Sequence, residues 1–448
     1  MAALNSLFLV VFSIACLSAR VTMGFEISDT SEDVNPFFSS HTSWIAQSPS
    51  FSDNTGVGEN IFLDQYMITP LQSGHVVRMD LNTGIVTHMT PDFVSITSAK
   101  DEKSGDTIYW VIAGTSPFTH TMALTDSSGK VIIQYQSFDG FEDYNIPQVV
   151  ALNSTSVIIF NHTSCGNLVV REGEEAPKFY SWYDPNINSV ESIVAFADKG
   201  HYRGIFVGFS PRPTNFYCEF ETMETLPTMY VLGAQRKYHS HIQAFGRGYT
   251  LSQHLDQDYD DIPPIVVSDI NLESKTMTEA TFAVPYDYSP NIIDMFFCNG
   301  AMYVYIKEYL WKLDEDLTIV WSKAVTIKGS VNNISCAATS PEKVVIAYSD
   351  ILNSDNFIAL IDTSDFSSFT DPNGVIYMKD VQNPDVTTTV TPLVPYSGKY
   401  PIDLEISTQQ CFVVASINQS LDITSAGNLV PLPSKDQEVK FLAEDEIQ

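Results

Sequence analysis

The sequence is short of positive charge. Its 448 residues carry 23 Lys and Arg against 54 Asp and Glu, a formal net charge of −31 at pH 7. A surface of that sign repels phosphate, so nucleic acid is not an expected partner. Charged residues of both signs make up only 17%, below the ~25% usual in globular domains, and the acidity therefore comes from scarce bases. Long apolar runs are also missing: beyond residue 24 none approaches the ~20 residues of a membrane-spanning helix. The final residues, Leu442 to Gln448, are too polar for a lipid-anchor signal. There is no G-x-S-x-G elbow, no H-E-x-x-H helix, no G-x-G-x-x-G and no phosphate loop, which takes support from elbow-type serine hydrolases, zincins and nucleotide-binding enzymes. The hydrophobic content of 44% is ordinary, so disorder is excluded as the default state.

What is present points outward from the cell. Leu7 to Leu17 is an apolar run of signal-peptide length, with small residues at Ser18, Ala19 and Gly24. Removal of 1–24 on export is expected, leaving 25–435 as the folded body and 436–448 as a short acidic tail. Four sequons, at Asn153, Asn161, Asn333 and Asn418, are glycosylation sites in an exported chain. The cysteines left after Cys16 are Cys165, Cys218, Cys298, Cys336 and Cys411, an odd set without CxxC spacing. In an oxidising compartment the arithmetic gives two disulfides and one remaining thiol. Cys298 with Cys336, and Cys165 with Cys218, are the expected pairs, since neighbours along a repeat fold are neighbours in space.

Helical periodicity is scarce, while short β-branched and aromatic runs bounded by Gly, Pro, Asn, Asp and Ser recur throughout. The chain reads as all-β. One element repeats: an alternating strand, an Asp, a polar turn and a second strand. Clear copies surround Asp80 and Asp126, and weaker ones Asp184, Asp269, Asp314, Asp362 and Asp422. Asp suits this place because its carboxylate accepts a backbone N–H two residues on. Successive aspartates are 46, 58, 85, 45, 48 and 60 residues apart, and the long gap has room for a degenerate copy near Phe216 to Glu221. A period of this size, with about four short strands per unit, predicts a β-propeller of seven or eight blades. A pair of β-sandwich domains is the alternative, although no Pro/Gly/Ser-rich linker divides the chain.

Potential ligands are densest from His239 to Asp261. If Gly246-Arg247-Gly248 turns a hairpin, His239 and His241 share a face and His254 lies across from them, an arrangement that suits a transition metal such as zinc. Asp256, Asp258, Asp260 and Asp261 follow, with the alternation by which calcium loops gather oxygen ligands. An EF-hand is excluded, because Asp261 stands where that loop needs Gly and Val267 where it needs Glu. The Asp256-x-Asp258-x-Asp260 string resembles the calcium loop of integrin-type propeller repeats, and departs from it at Asp261 and Pro264. Other acidic clusters, such as Glu172 to Glu175 and Asp314 to Asp316, are too short to form a charged tail. The aromatics read mostly as core, and some, such as Trp182 with Tyr183 or Tyr286 with Tyr288, suit a carbohydrate or small-molecule surface.

Two functions are compatible with these features. The first is a secreted, acidic, non-enzymatic propeller of the extracellular space or matrix that binds a protein, a glycan or calcium. The second is a metal-dependent propeller hydrolase or lactonase, in which a channel-bound cation polarises a carbonyl and a His acts as base; its ligands would come from several blades and escape a motif search.

Overall fold

A computed structural model describes residues 35–49 and, between 61 and 432, the strands with most of their tight turns; 1–34, 50–60, 138–147, 255–263, 284–292, 365–375, 396–404, 433–448 and some shorter connections lie outside the described residues. The described chain forms seven five-stranded antiparallel sheets. Six of them take four strands from consecutive stretches, 61–90, 93–137, 148–183, 189–234, 236–282 and 293–327. The seventh combines three strands of 330–362 with Trp44–Gln47 from near the N-terminus, which pairs with Asn356–Asp362. The first strand of each sheet touches the first strands of its two neighbours, and the circuit returns from Ser330–Ala337 to Ile61–Leu63. The described residues form a seven-bladed β-propeller, with its last blade completed by the N-terminal strand.

The fifth strand of every blade comes from one place. After the seventh blade, the chain runs back around the outside of the propeller. Ile376–Asp380 pairs with the sixth blade, Val386–Pro392 with the fifth and Val394–Pro395 with the fourth. Glu405–Gln409, Phe412–Val414 and Asp422–Asn428 then pair with the third, second and first, and Val430–Pro431 with the seventh. This belt crosses between blades at buried leucines. Leu393 packs between the fourth and fifth blades against Tyr217, Tyr230 and Ile270, and its N–H donates to Lys275 O at 2.8 Å. Leu429 packs with Phe38, Trp44 and Val86, and donates to Gly84 O at 2.7 Å. Both stand in the string Leu-Val-Pro, at 393–395 and 429–431, a short internal repeat within the larger hairpin period.

The Asp turns hold where a third strand turns into a fourth. Asp80 Oδ1 accepts the N–H groups of Asn82 at 2.8 Å and Thr83 at 3.2 Å, and Gly84 closes the turn at φ +76°. A side chain at Gly84 would also meet the Phe38 ring, 2.1 Å from its Cβ position. Asp314 accepts from Asp316 at 3.0 Å and Thr318 at 2.8 Å. Asp362 caps Ser364 at 2.8 Å, but the strand that follows it in its blade is the N-terminal one.

Three copies of the proposed repeat are placed differently. Asp269 lies inside Ile265–Asn271, and the turn role passes to Asn271, whose Oδ1 accepts from Glu273 and Ser274 at 3.0 Å each. Tyr180 to Tyr183 belongs to a fourth strand, Lys178–Tyr183, instead of a third. Asp422 opens a belt strand. The fourth blade uses Pro213–Phe220, the degenerate copy in the long gap. Losing the Asp422 unit and gaining this one leaves seven blades among the described residues. Asp126 and Asp184 lie outside the described residues.

The expected Cys298–Cys336 disulfide is present and joins the first strands of the sixth and seventh blades. The side chains of Cys165 and Cys218, on third strands of neighbouring blades, and all of Cys411 fall outside the described residues. No helix among the described residues is long and apolar enough to cross a membrane.

Candidate functional site

The fifth blade holds the densest described polar chemistry, and alternation explains how. Along Arg247–His254 and Ile265–Asn271, one set of side chains is apolar: Tyr249, Leu251, Ile265 and Val267 join Phe282, Met302 and Trp311 in a core shared with the sixth blade. The alternate set contains Thr250, Ser252 and Ser268, which are buried as well. Register aligns His241, Thr250, Ser268 and Glu279 in one row across the four strands. Burying that row costs free energy unless its polar atoms find partners. Ser268 Oγ donates to Glu279 Oε1 at 3.3 Å, and Arg236 grips both Glu279 oxygens, with Nη2 to Oε2 at 3.1 Å. The Arg236 and Glu279 side chains are only 10% and 11% exposed. Burial lowers the His241 pKa from 6.5 to about 3, so its imidazole is neutral at physiological pH.

A second polar group sits at the end of the blade that carries the tight turns. Arg247 Nη1 donates to Asp269 Oδ2 at 2.7 Å, and Tyr249 OH donates to Glu315 O at 3.2 Å in the sixth-blade turn. Burial raises the Asp269 carboxyl to about 6; Arg247 opposes that, while Asp316 and Glu315 add to it. Burial, with Asp269 nearby, likewise raises the Tyr249 phenol.

The histidine hairpin exists with a different turn. Ala244 pairs with Arg247, so Phe245 and Gly246 make the bend, both at positive φ, 50° and 72°. That is the two-residue geometry matching strand twist. A register shift between Tyr238 and Ser240 interrupts the alternation at His239. His239 Nε2 lies 2.9 Å from Gln253 Oε1, while His241 pairs with Thr250, whose side chain belongs to the opposite face from Gln253. His254 is in register with Arg236, away from both histidines, and its side chain is outside the described residues. The shared face expected for His239 and His241 is thus lost to one bulged residue. Asp256, Asp258, Asp260 and Asp261 lie outside the described residues, on the connection from His254 to Pro264.

Among the described residues, one trio of metal-type ligands comes within coordinating reach, Cys298, Cys336 and Glu342, and its two sulfurs are bonded to each other. Glu342 instead accepts the Asn299 N–H at 2.5 Å. Of the sequons, Asn333 is half-buried in a first strand, with its Oδ1 shielded from solvent; Asn153, Asn161 and Asn418 are outside the described residues. Arg236, Glu279 and Ser268 were not singled out from the sequence. Their signal was present as polar residues at the inward positions of strands whose alternate positions are apolar.

No protein-family profile matches the chain. No curated protein sequence matches it either. Solved structures with a similar course include the polysaccharide lyase Uly1, at 7% identity and TM-score 0.43, over 71% of this chain and 92% of that one. The WD40 domain of SCAP from fission yeast is 8% identical with TM-score 0.35, over 72% and 88%. An exo-β-1,3-galactanase from Phanerochaete chrysosporium is 9% identical with TM-score 0.29, over 71% and 95%. The propeller assignment rests on the seven sheets and their circuit.

Proposed function

We propose that the protein is a secreted binding propeller of the extracellular space, which takes calcium on the fifth blade and presents its loop end to a protein or glycan partner. The observation that carries this reading is where the flanking strands end. Arg247–His254 finishes and Ile265–Asn271 begins at the end of the fifth blade opposite its tight turns at Phe245–Gly246 and Asn271, and Asp256, Asp258, Asp260 and Asp261 lie between them in the sequence. Propellers commonly bind at one end of the ring, and alternating carboxylates supply the oxygen ligands a hard cation prefers. A net charge of −31 adds a broad attraction for divalent cations. The disulfide between Cys298 and Cys336 supports export, because such bonds persist in oxidising compartments. The polar groups described on this blade fit a supporting role: Arg236 and Arg247 are committed to Glu279 and Asp269.

Calorimetric titration of the full chain with calcium tests the proposal. Saturable binding that is lost in Asp258→Ala and Asp260→Ala supports it. An isotherm identical in wild type and both variants overturns the assigned site.

A further inference from the structure

The belt strand on the fifth blade differs from the strands around it. All seven residues of Val386–Pro392 are exposed, so side chains on both faces of the strand meet solvent. Its register with Thr276–Phe282 is unbroken, from Thr276 opposite Pro392 to Phe282 opposite Val386. Among the described residues it is the last strand of its sheet, so its outer edge presents backbone N–H and C=O groups. Val390 is 65% exposed and Val394 60%. From Val386 to Pro395 no residue is charged. An extended, neutral, β-branched edge is a template for pairing with other chains, and proteins normally blunt such edges with charge or a cover. The belt strand on the sixth blade follows that practice, exposing Lys379 and Asp380. On the fifth blade the places where a charge would stand are held by threonine.

We propose that Thr387, Thr388, Thr389 and Thr391 accept O-linked sugars, which cover this edge. Threonine clusters among prolines mark O-glycosylated stretches in exported chains, and here Pro384, Pro392 and Pro395 flank the cluster. Tertiary structure adds accessibility, because all four hydroxyls lie on exposed residues of a strand already extended and open along one side. The donor is a sugar activated as its nucleoside diphosphate, acted on by a glycosyltransferase of the secretory route. Thr Oγ1 attacks the anomeric carbon, and the new C–O bond forms as the bond from that carbon to the phosphate oxygen breaks. The hydroxyl proton passes to a base of the transferase, and nucleoside diphosphate leaves with the bonding pair. The inference rests on the export half of the proposed function and is independent of calcium.

The sequence offers a clean assay. Trypsin cuts after Lys379 and Lys399, and the peptide 380–399 contains no other Lys or Arg and no N-glycosylation sequon. The full chain is expressed in a secretory eukaryotic culture, collected from the medium and digested. Hexosamine or hexose increments on this peptide, localised to the four threonines by electron-transfer fragmentation, are the expected result. Replacing all four by Ala abolishes the increments, and replacing all four by Ser retains them. A bare peptide, or sugar confined to Ser397, from a protein found in the medium overturns this inference and leaves the proposed function standing. A chain retained in the cytosol with bare peptides at Asn153 and Asn161 overturns both.

Discussion

Acidification probes the buried groups of the fifth blade, because His241 and Asp269 push stability in opposite directions. The folded chain holds His241 neutral down to about pH 3, whereas the unfolded imidazole protonates near 6.5. The unfolded state therefore binds more protons in that window, and stability falls as the pH falls. Asp269 behaves in reverse: its folded carboxyl takes a proton near 6, and its unfolded one only near 3.8. Here the folded state binds more protons, and stability rises as the pH falls. At about 1.4 kcal/mol per pH unit, His241 removes ~5 kcal/mol by about pH 3, and Asp269 adds ~3 kcal/mol by about pH 4. Between about pH 6 and 4 the two slopes cancel, and the His241 loss emerges below that range. Relief of repulsion among the surface acids is a background common to wild type and variants, so differences between them carry the information. Urea unfolding at about pH 4, 5, 6 and 7, followed by tryptophan fluorescence, measures the slopes. Asp269→Asn is expected to lose ~1.4 kcal/mol per unit relative to wild type between pH 6 and 4, and His241→Gln to gain about as much. Slopes unchanged in both variants would refute the assignment of these shifts to burial.

Breaking the Arg236–Glu279 pair from either side takes the opposite charge away from a buried group. Arg236→Met and Glu279→Gln should each cost about 3–5 kcal/mol, and the double variant less than the sum of the two. Each single change lowers Tm by several degrees, which calorimetry reads. Removing the disulfide with Cys298→Ala and Cys336→Ala releases a loop of sequence separation 38. Loop entropy puts the loss at about 4 kcal/mol, and chemical denaturation with and without reductant measures it. Leu393→Ala and Leu429→Ala remove the buried belt anchors at ~2–4 kcal/mol each. Faster protease cleavage after Lys379 and Lys399 than in wild type is the expected sign of a loosened belt, and equal cleavage would count against the anchoring role.

Local chemistry was legible in the sequence, and partnership across the ring was not. The turns at Asp80, Asp314 and Asp362 could be read because an Asx turn needs only a carboxylate and the next few backbone amides. The Cys298–Cys336 pair could be read because neighbours along a repeat fold are neighbours in space. Asp269 looked like the other turn residues, yet sits in a strand against Arg247, since cross-strand contact decided its role. One bulged residue redirected His239, and no period of two reveals where a bulge falls. The belt was the largest omission. Asp422 reads as a weaker copy of the hairpin, but its strand pairs with Ile85–Thr90, over 300 positions earlier in the chain. The sequence by itself determined the all-β class, the unit length and the local turns, because these depend on alternation and short-range hydrogen bonds. Tertiary structure alone decided that the seventh blade closes with an N-terminal strand and that the C-terminal segment laces all seven outer edges. Any strand edge offers the same row of N–H and C=O groups, so only the closed ring selects which segment fills it.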